Sequence, residues 1–302
     1  MEKYSLIYVM AGKSSRFKEK IQKQFYKVYG IPLFIYPLLK IFFIKEIDEI
    51  IFVINKEHEK IFYKELKKFF FIKIQDKQIS LKKNISLKYF IFIFLLILKN
   101  LIRPKLIKKL IKINKIILNK NIFVTFGGEI RQESIYNGLN KASNSKILIY
   151  ESSRPFISES DFIKIIEDPF DNITYGDKIN FTVLIKEERK NEIKEDKNNN
   201  LIKENKKIFF IKSILDRESL INIQLPQNFK KENLIFAHQK AKEEKRIFTD
   251  DSSLLFYYGY DVKILEGNPE NIKITYKHEI KNYKYLFKKY LNWKFSKIKK
   301  YI

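Results

Sequence analysis

Short apolar runs alternate with amphipathic stretches through the first half of the chain. Ser5 to Met10 reads as a buried strand, and Leu33 to Phe43 as a helix behind Pro32. Ile50 to Ile54 is a second buried strand, followed by an amphipathic helix from His58 to Phe70. Ile122 to Phe126 predicts a third strand with a helix running to about Lys141, and Ile147 to Tyr150 a fourth, with a helix starting at Asp161 to Glu167. Later come strand-like runs at Phe181 to Ile185, Ile208 to Ile214 and Val262 to Leu265. Helices are expected at Leu234 to Lys242, after Asp250 and Asp251 as caps, and from His278 to Leu291. The alternation predicts an α/β fold of Rossmann-like type, with a mostly parallel mixed sheet and helices on both faces. Ligands of such sheets bind beyond the carboxyl ends of the strands.

Two stretches break the rhythm. Residues 71–120 form a lysine- and isoleucine-rich insertion without turn logic. Residues 186–207 are highly polar, include Asn198-Asn199-Asn200, and read as an exposed mobile loop. The rest reads as one domain over residues 1–302.

Composition narrows the chemistry. The chain has 302 residues, 45% hydrophobic and 31% charged, as a globular protein has. Cysteine is absent, so neither disulfides nor thiolate chemistry is available. The three histidines, His58, His238 and His278, lie away from the glycine clusters in sequence, which argues against a histidine metal site or a Ser-His dyad. The formal charge of +25 is mostly lysine spread along the chain. That spread favours a compositional bias over a dedicated polyanion-binding face, so no specific nucleic acid is expected, although the field alone attracts polyanions weakly. Glu2 and Lys3 precede the first strand directly, which reads as no leader and a cytoplasmic protein. The apolar run Tyr89 to Leu98 is closed by Lys88 and Lys99. It is shorter than the ~20 residues of a bilayer-spanning helix, so no transmembrane segment is expected; peripheral membrane contact through the lysines after it stays open.

Glycine and arginine are scarce and clustered. The eight glycines include Gly12 in Met10-Ala11-Gly12-Lys13-Ser14-Ser15-Arg16 and the pair Gly127-Gly128 before Glu129-Ile130-Arg131. Both clusters follow an apolar run, and Arg154 follows another; glycine there suits close ligand approach and arginine suits phosphate. Gly12-Lys13-Ser14 ends like a P-loop, but Ile7 stands where that motif needs its first glycine, which excludes it. What remains is a small-residue turn whose N–H groups can cradle phosphate, with Arg16 and Lys23 behind it.

The clusters occur in a telling order: Ala11-Gly12, Arg16, Lys23-Gln24-Phe25, Gly30-Ile31-Pro32-Leu33, Gly127-Gly128, Arg131-Gln132, Ser134, Asn137-Gly138-Leu139, Arg154-Pro155-Phe156, Asp216-Arg217, Gln224, Pro226-Gln227, Thr249-Asp250-Asp251 and Asn271-Ile272-Lys273-Ile274-Thr275. The series resembles the 2-C-methyl-D-erythritol 4-phosphate cytidylyltransferase family, from about Ser5 to Leu286. The sister ribitol-5-phosphate cytidylyltransferases share most of it.

The resemblance implies a nucleotidyltransferase fold with a protruding β-arm, here residues 181–214, through which a homodimer forms. It implies transfer of CMP from CTP to a polyol phosphate, with Mg²⁺ carried on the CTP phosphates and no protein-held metal. Arg16, Lys23 and Lys273 would surround the triphosphate as the catalytic cations. Met10, Ala11, Gly12, Gly128, Glu129 and Ser134 would line the nucleotide pocket. Glu151, Arg154, Arg217, Glu188 and Leu225 fall at the substrate-binding positions. The chain departs from the family pattern at Ser14, where the family has its second loop glycine, at Gln22 for a proline, at Glu129 and Glu151 for aspartates, at Glu187-Glu188 for an Asp-Thr pair and at Leu225 for a threonine. A ribitol-5-phosphate enzyme and a weakened CTP-binding relative therefore remain alternatives.

Overall fold

The structure, a computed structural model, describes residues 2–19, 21–70, 72–75, 78–81, 120–190, 194–195, 201–202 and 207–290. The run Tyr89 to Leu98, the triplet Asn198-Asn199-Asn200 and Leu291 lie outside them. The chain divides into two compact units, Met1–Tyr175 with Gln224–Ile302, and Gly176–Ile223.

The first unit is built on a sheet whose centre is β1 (Tyr4–Val9), β4 (Ile47–Ile54), β7 (Asn121–Phe126) and β8 (Lys146–Glu151). These four are parallel, in the order β8-β1-β4-β7. Leu6, Ile7, Tyr8 and Ile50 through Val53 are fully buried, as parallel strands covered on both faces must be. Neighbouring residues of a strand point to opposite faces, and β1 shows what covers each. Ile7 meets helix α3 (Arg131–Leu139) at Gly138, where an added Cβ would lie 2.7 Å from the Ile7 methyl. Tyr8, on the other face, donates its hydroxyl to the Phe34 carbonyl (2.7 Å), at the start of α1 (Ile35–Ile41).

Antiparallel strands flank this centre. β14 (Ile221–Lys230) pairs with β8, followed outward by β9 (Ile173–Lys178) and β15 (Lys263–Glu266). On the far side, β5 (Ile72–Gln75) and β6 (Gln78–Leu81) form a hairpin that extends the sheet from β7 to nine strands. The start of the 71–120 insertion therefore carries ordinary strand pairing. β9 and β14 have no counterpart in the sequence reading. Gly176, Pro226 and the buried amides Gln224, Gln227 and Asn228 dilute their apolar alternation.

The remaining helices are α2 (Glu59–Phe69), α4 (Glu159–Glu167), α5 (Lys231–Glu243), α6 (Asp251–Tyr257) and α7 (Lys277–Asn282). The single C-terminal helix expected from His278 is broken at Tyr283, beyond which residues 284–290 are again helical. Asp250 caps α6 as expected, accepting from the N–H groups of Ser252 and Ser253. Asp251 does not cap; it is a buried anion discussed below.

The second unit contains β10 (Leu184–Lys190) paired antiparallel with β13 (Lys207–Ile214), and a short pair β11 (Lys194–Glu195) and β12 (Leu201–Ile202). Much of the expected loop 186–207 is thus strand: cross-strand pairing outweighs the low apolar content of Lys186 to Lys190. Phe209, Ile211 and Ile214 are exposed on β13.

Candidate functional site

The carboxyl ends of β1, β7 and β8 open into one cleft of about 340 Å³. β1 delivers Met10 to Arg16, β7 delivers Gly128 to Ser134, and β8 delivers Glu151 to Ser153; Lys23, Gln24, Lys273 and Thr275 complete the lining. Parallel strands put these ends on one rim, and that is why clusters far apart in sequence meet. Lys273 arrives from the other end of the chain, on a segment tied to the rim where the Ile274 N–H donates to the Ser153 carbonyl (2.8 Å).

The glycines play different parts. A Cβ on Gly127 would lie 2.3 Å from the Ala11 Cβ and 2.7 Å from Ser134 Oγ, so Gly127 lets the first two loops touch. Gly128 has the same constraint from Glu133. Gly12 has nothing within 4 Å and faces open space. Ser134 Oγ accepts from the Gly128 N–H (3.2 Å) and donates to the Ile130 carbonyl (3.0 Å), shaping the loop that carries Glu129.

The first loop is strained. Ser14, at φ 52° and ψ 28°, and Lys18, at φ 52° and ψ 41°, are both left-handed and bracket the single 3-10 turn Ser15–Phe17. Each such residue costs about 1–3 kcal/mol when it is not glycine. Phe17 is buried and stacks edge-on against Tyr26, so the turn is anchored while Arg16 projects outward. The N–H groups of Ala11 through Ser15 donate to no acceptor among the described residues. Unpaired N–H groups in a turn beside cations form an anion cradle.

Charge in the cleft is unbalanced. Burial, and then repulsion from Lys273 and Arg16, pulls the Lys23 amine down to about 8, although Glu151 pulls the other way. Burial opposes the charge of Glu151 too, but Lys273, Arg154 and Arg131 together outweigh it and hold its carboxyl at about 2. Glu151 pairs with Lys273 at 2.9 Å and with Arg154 at 3.1 Å. Arg131, also on the lining, pairs with Asp251 at 2.7 Å, and His238 Nε2 lies 3.2 Å from the same carboxylate. Burial works against the Asp251 charge as well, yet Arg131 and His238 hold it at about 2. Asp251 therefore pins α6 to α3. His238, remote in sequence from any glycine, stands one residue behind the cleft wall, a proximity with no signal in its local sequence.

Arg16, Lys23, Lys273, Met10, Ala11, Gly12, Gly128, Glu129, Ser134 and Glu151 thus share the cleft. Two expected substrate residues do not line it. Arg154 is buried behind Glu151, with its guanidinium on the Asn271 carbonyl (2.8 Å), because an internal carboxylate and carbonyl satisfy it. Leu225 is buried in the core, where an apolar side chain is stable, and its carbonyl accepts from Asn271. Glu188 and Arg217 belong to the second unit, paired with Lys207 (3.0 Å) and Glu218 (3.0 Å). Among the described residues no three His, Cys, Asp or Glu side chains gather as a metal cluster, and no helix is long and apolar enough to cross a membrane. Gln24, Arg131, Ser152, Ser153 and Thr275 join the cleft without having been assigned a ligand by the sequence.

Residues 106–289 match the profile of 2-C-methyl-D-erythritol 4-phosphate cytidylyltransferase. The enzyme of that name from Dictyoglomus thermophilum is 33% identical over 285 residues, covering 93% of this chain and 94% of the relative. That from Clostridium novyi is 31% identical, covering 91% and 92%. Among solved structures, 4-diphosphocytidyl-2C-methyl-D-erythritol synthase from Anaerococcus prevotii superposes with a TM-score of 0.61 at 23% identity, covering 92% of this chain and 93% of that one. The Francisella tularensis cytidylyltransferase does so at 0.58 and 18%, covering 94% and 100%; both show the same fold. With profile, relatives and fold in agreement over nearly its whole length, the chain belongs to the 2-C-methyl-D-erythritol 4-phosphate cytidylyltransferase family.

Proposed function

We propose that the protein transfers CMP from CTP to 2-C-methyl-D-erythritol 4-phosphate, giving 4-diphosphocytidyl-2-C-methyl-D-erythritol and pyrophosphate. The observation that carries this is the meeting of Arg16, Lys23 and Lys273 around one cleft beside an N–H cradle. A phosphate oxygen of the polyol phosphate attacks the α-phosphorus of CTP, the bond to the β-phosphate bridging oxygen breaks, and pyrophosphate leaves. The nucleophile is already ionised near neutral pH, so no general base is needed; catalysis is positioning and charge stabilisation. Mg²⁺ enters on the triphosphate as part of the substrate. The cleft suits such a ligand: its carboxylates are Glu129 and Glu151, and Glu151 is already engaged by Lys273 and Arg154.

In this reading the Gly128, Glu129 and Ser134 loop reads the cytosine, and Glu151 receives the polyol. Arg154 acts through Glu151. The strands of residues 181–214 serve as a dimerisation arm, supported by the exposed Phe209, Ile211 and Ile214, and Arg217 and Glu188 meet the partner subunit's substrate. Pyrophosphate release from CTP with Mg²⁺ is the test, run with 2-C-methyl-D-erythritol 4-phosphate and with ribitol 5-phosphate. Turnover with the first supports the proposal. Preference for the second reassigns the substrate, and silence with both in folded protein ends the enzymatic reading.

A further inference from the structure

Gln24 is almost fully buried, yet its side-chain amide is satisfied at both ends by a single loop. Its Nε2 donates to the Met10 carbonyl (2.8 Å), where the loop leaves β1, and its Oε1 accepts from Ser14 Oγ (3.2 Å), where the chain turns left-handed. Its own backbone is held, since the Phe34 N–H donates to the Gln24 carbonyl (3.1 Å) and the next residue, Phe25, is buried against Phe34. The Ser14 carbonyl in turn accepts from the Phe17 N–H (2.9 Å) and so closes the turn that carries Arg16. Lys23 precedes Gln24 in its own 3-10 turn. One amide therefore links the segment bearing Lys23 to the segment bearing Arg16.

Taken singly, both residues are poor choices. A serine is disfavoured in the left-handed region, where glycine is free. A buried glutamine needs partners for its amide oxygen and nitrogen. Together they compensate: the serine hydroxyl satisfies the amide, and the amide holds the serine in its strained conformation. We infer that Ser14 and Gln24 form a positioning clamp that sets the spacing of Arg16 and Lys23 around the triphosphate, replacing the conformational freedom of a glycine with a hydrogen bond. The inference rests on the cytidylyl-transfer reading for its ligand, but not for the clamp.

The test compares Ser14→Ala, Gln24→Met, the double variant, and Ser14→Gly in the Gln24→Met background. Two readouts are taken: tryptic cleavage after Arg16 in the nucleotide-free protein, and KM for CTP against kcat. Loss of one hydrogen bond in Ser14→Ala, and of two in Gln24→Met, predicts about two- to tenfold faster cleavage and a KM for CTP raised by a similar factor, with kcat falling by no more than that factor. The double variant should be no worse than the worse single, because either change already opens the clamp. Ser14→Gly should recover part of the KM in the Gln24→Met background, since glycine adopts the turn unaided while the bond to the Met10 carbonyl stays lost. Unchanged cleavage and KM in the single variants, or fully additive effects in the double, overturn the clamp. Coupled cleavage in a protein that never turns over CTP would leave the clamp standing and remove the cytidylyl-transfer reading alone.

Discussion

Both ends of the central strands are polar, but only one is finished. At the amino end, buried Glu49 accepts from the Ser143 N–H (2.8 Å) and hydroxyl (2.9 Å) and from Ser5. Asn144 bonds Ser5 (3.0 Å) and Asp48 (2.9 Å), and Lys120 caps the Ile44 and Ile47 carbonyls. At the carboxyl end, Arg16, Lys23 and Lys273 crowd together with one engaged carboxylate, Glu151, among them, and a run of N–H groups waits unpaired. The amino end spends its polar groups on stability. The carboxyl end keeps a surplus of donors and positive charge that a polyanion would satisfy.

The sharpest way to break this contrast is Lys23→Met. Loss of one cation from the charge-stabilising set should lower kcat/KM by about 10²- to 10³-fold, while relief of a desolvated charge leaves the melting temperature no lower. A fall in stability matching that at the amino end would erase the distinction. The opposite change, Glu49→Ala, should destabilise the fold by about 2 kcal/mol in denaturant titration, because the buried Ser5 hydroxyl loses its acceptor and the Ser143 donors lose theirs, with turnover of the folded fraction within about twofold.

The pH dependence of binding sharpens the comparison further. Lys23 in the free protein loses its proton above about pH 8, and a bound triphosphate raises its affinity for that proton. CTP affinity should therefore be level below pH 8 and weaken about tenfold by pH 9, with proton uptake on binding seen in calorimetry across buffers. Lys23→Arg should flatten the profile. A flat wild-type profile would mean that Lys23 does not touch the phosphates.

The smallest expected effects separate the glycines. Gly127→Ala should cost about 1–3 kcal/mol by thermal denaturation, because its Cβ would collide with Ala11. Gly12→Ala should stay within about 0.5 kcal/mol, since nothing lies near it. Equal losses at both would show that the loop glycines serve packing alone.

The order of strands and helices in the first half was legible because parallel strands buried on both faces are uninterrupted apolar runs, as in Ile50 to Ile54. The rim was legible too, since Gly12, Gly128 and Glu151 each follow such a run. β9 and β14 were not, because buried amides and a proline break their alternation, and those amides find partners only through contacts remote in sequence, such as Gln227 to Thr174 (3.0 Å). Nor does local sequence distinguish Arg154 from Arg16, or Leu225 from a pocket residue: burial decides those, and burial belongs to the assembled fold. Composition, periodicity and motif order thus pointed, from the chain alone, to an α/β sheet whose rim gathers the glycine clusters and cations. Only packing decided which polar side chains face it, because a charged group turns toward whatever partner the tertiary structure brings within reach, as Asp251 turns from a helix cap to Arg131 and His238.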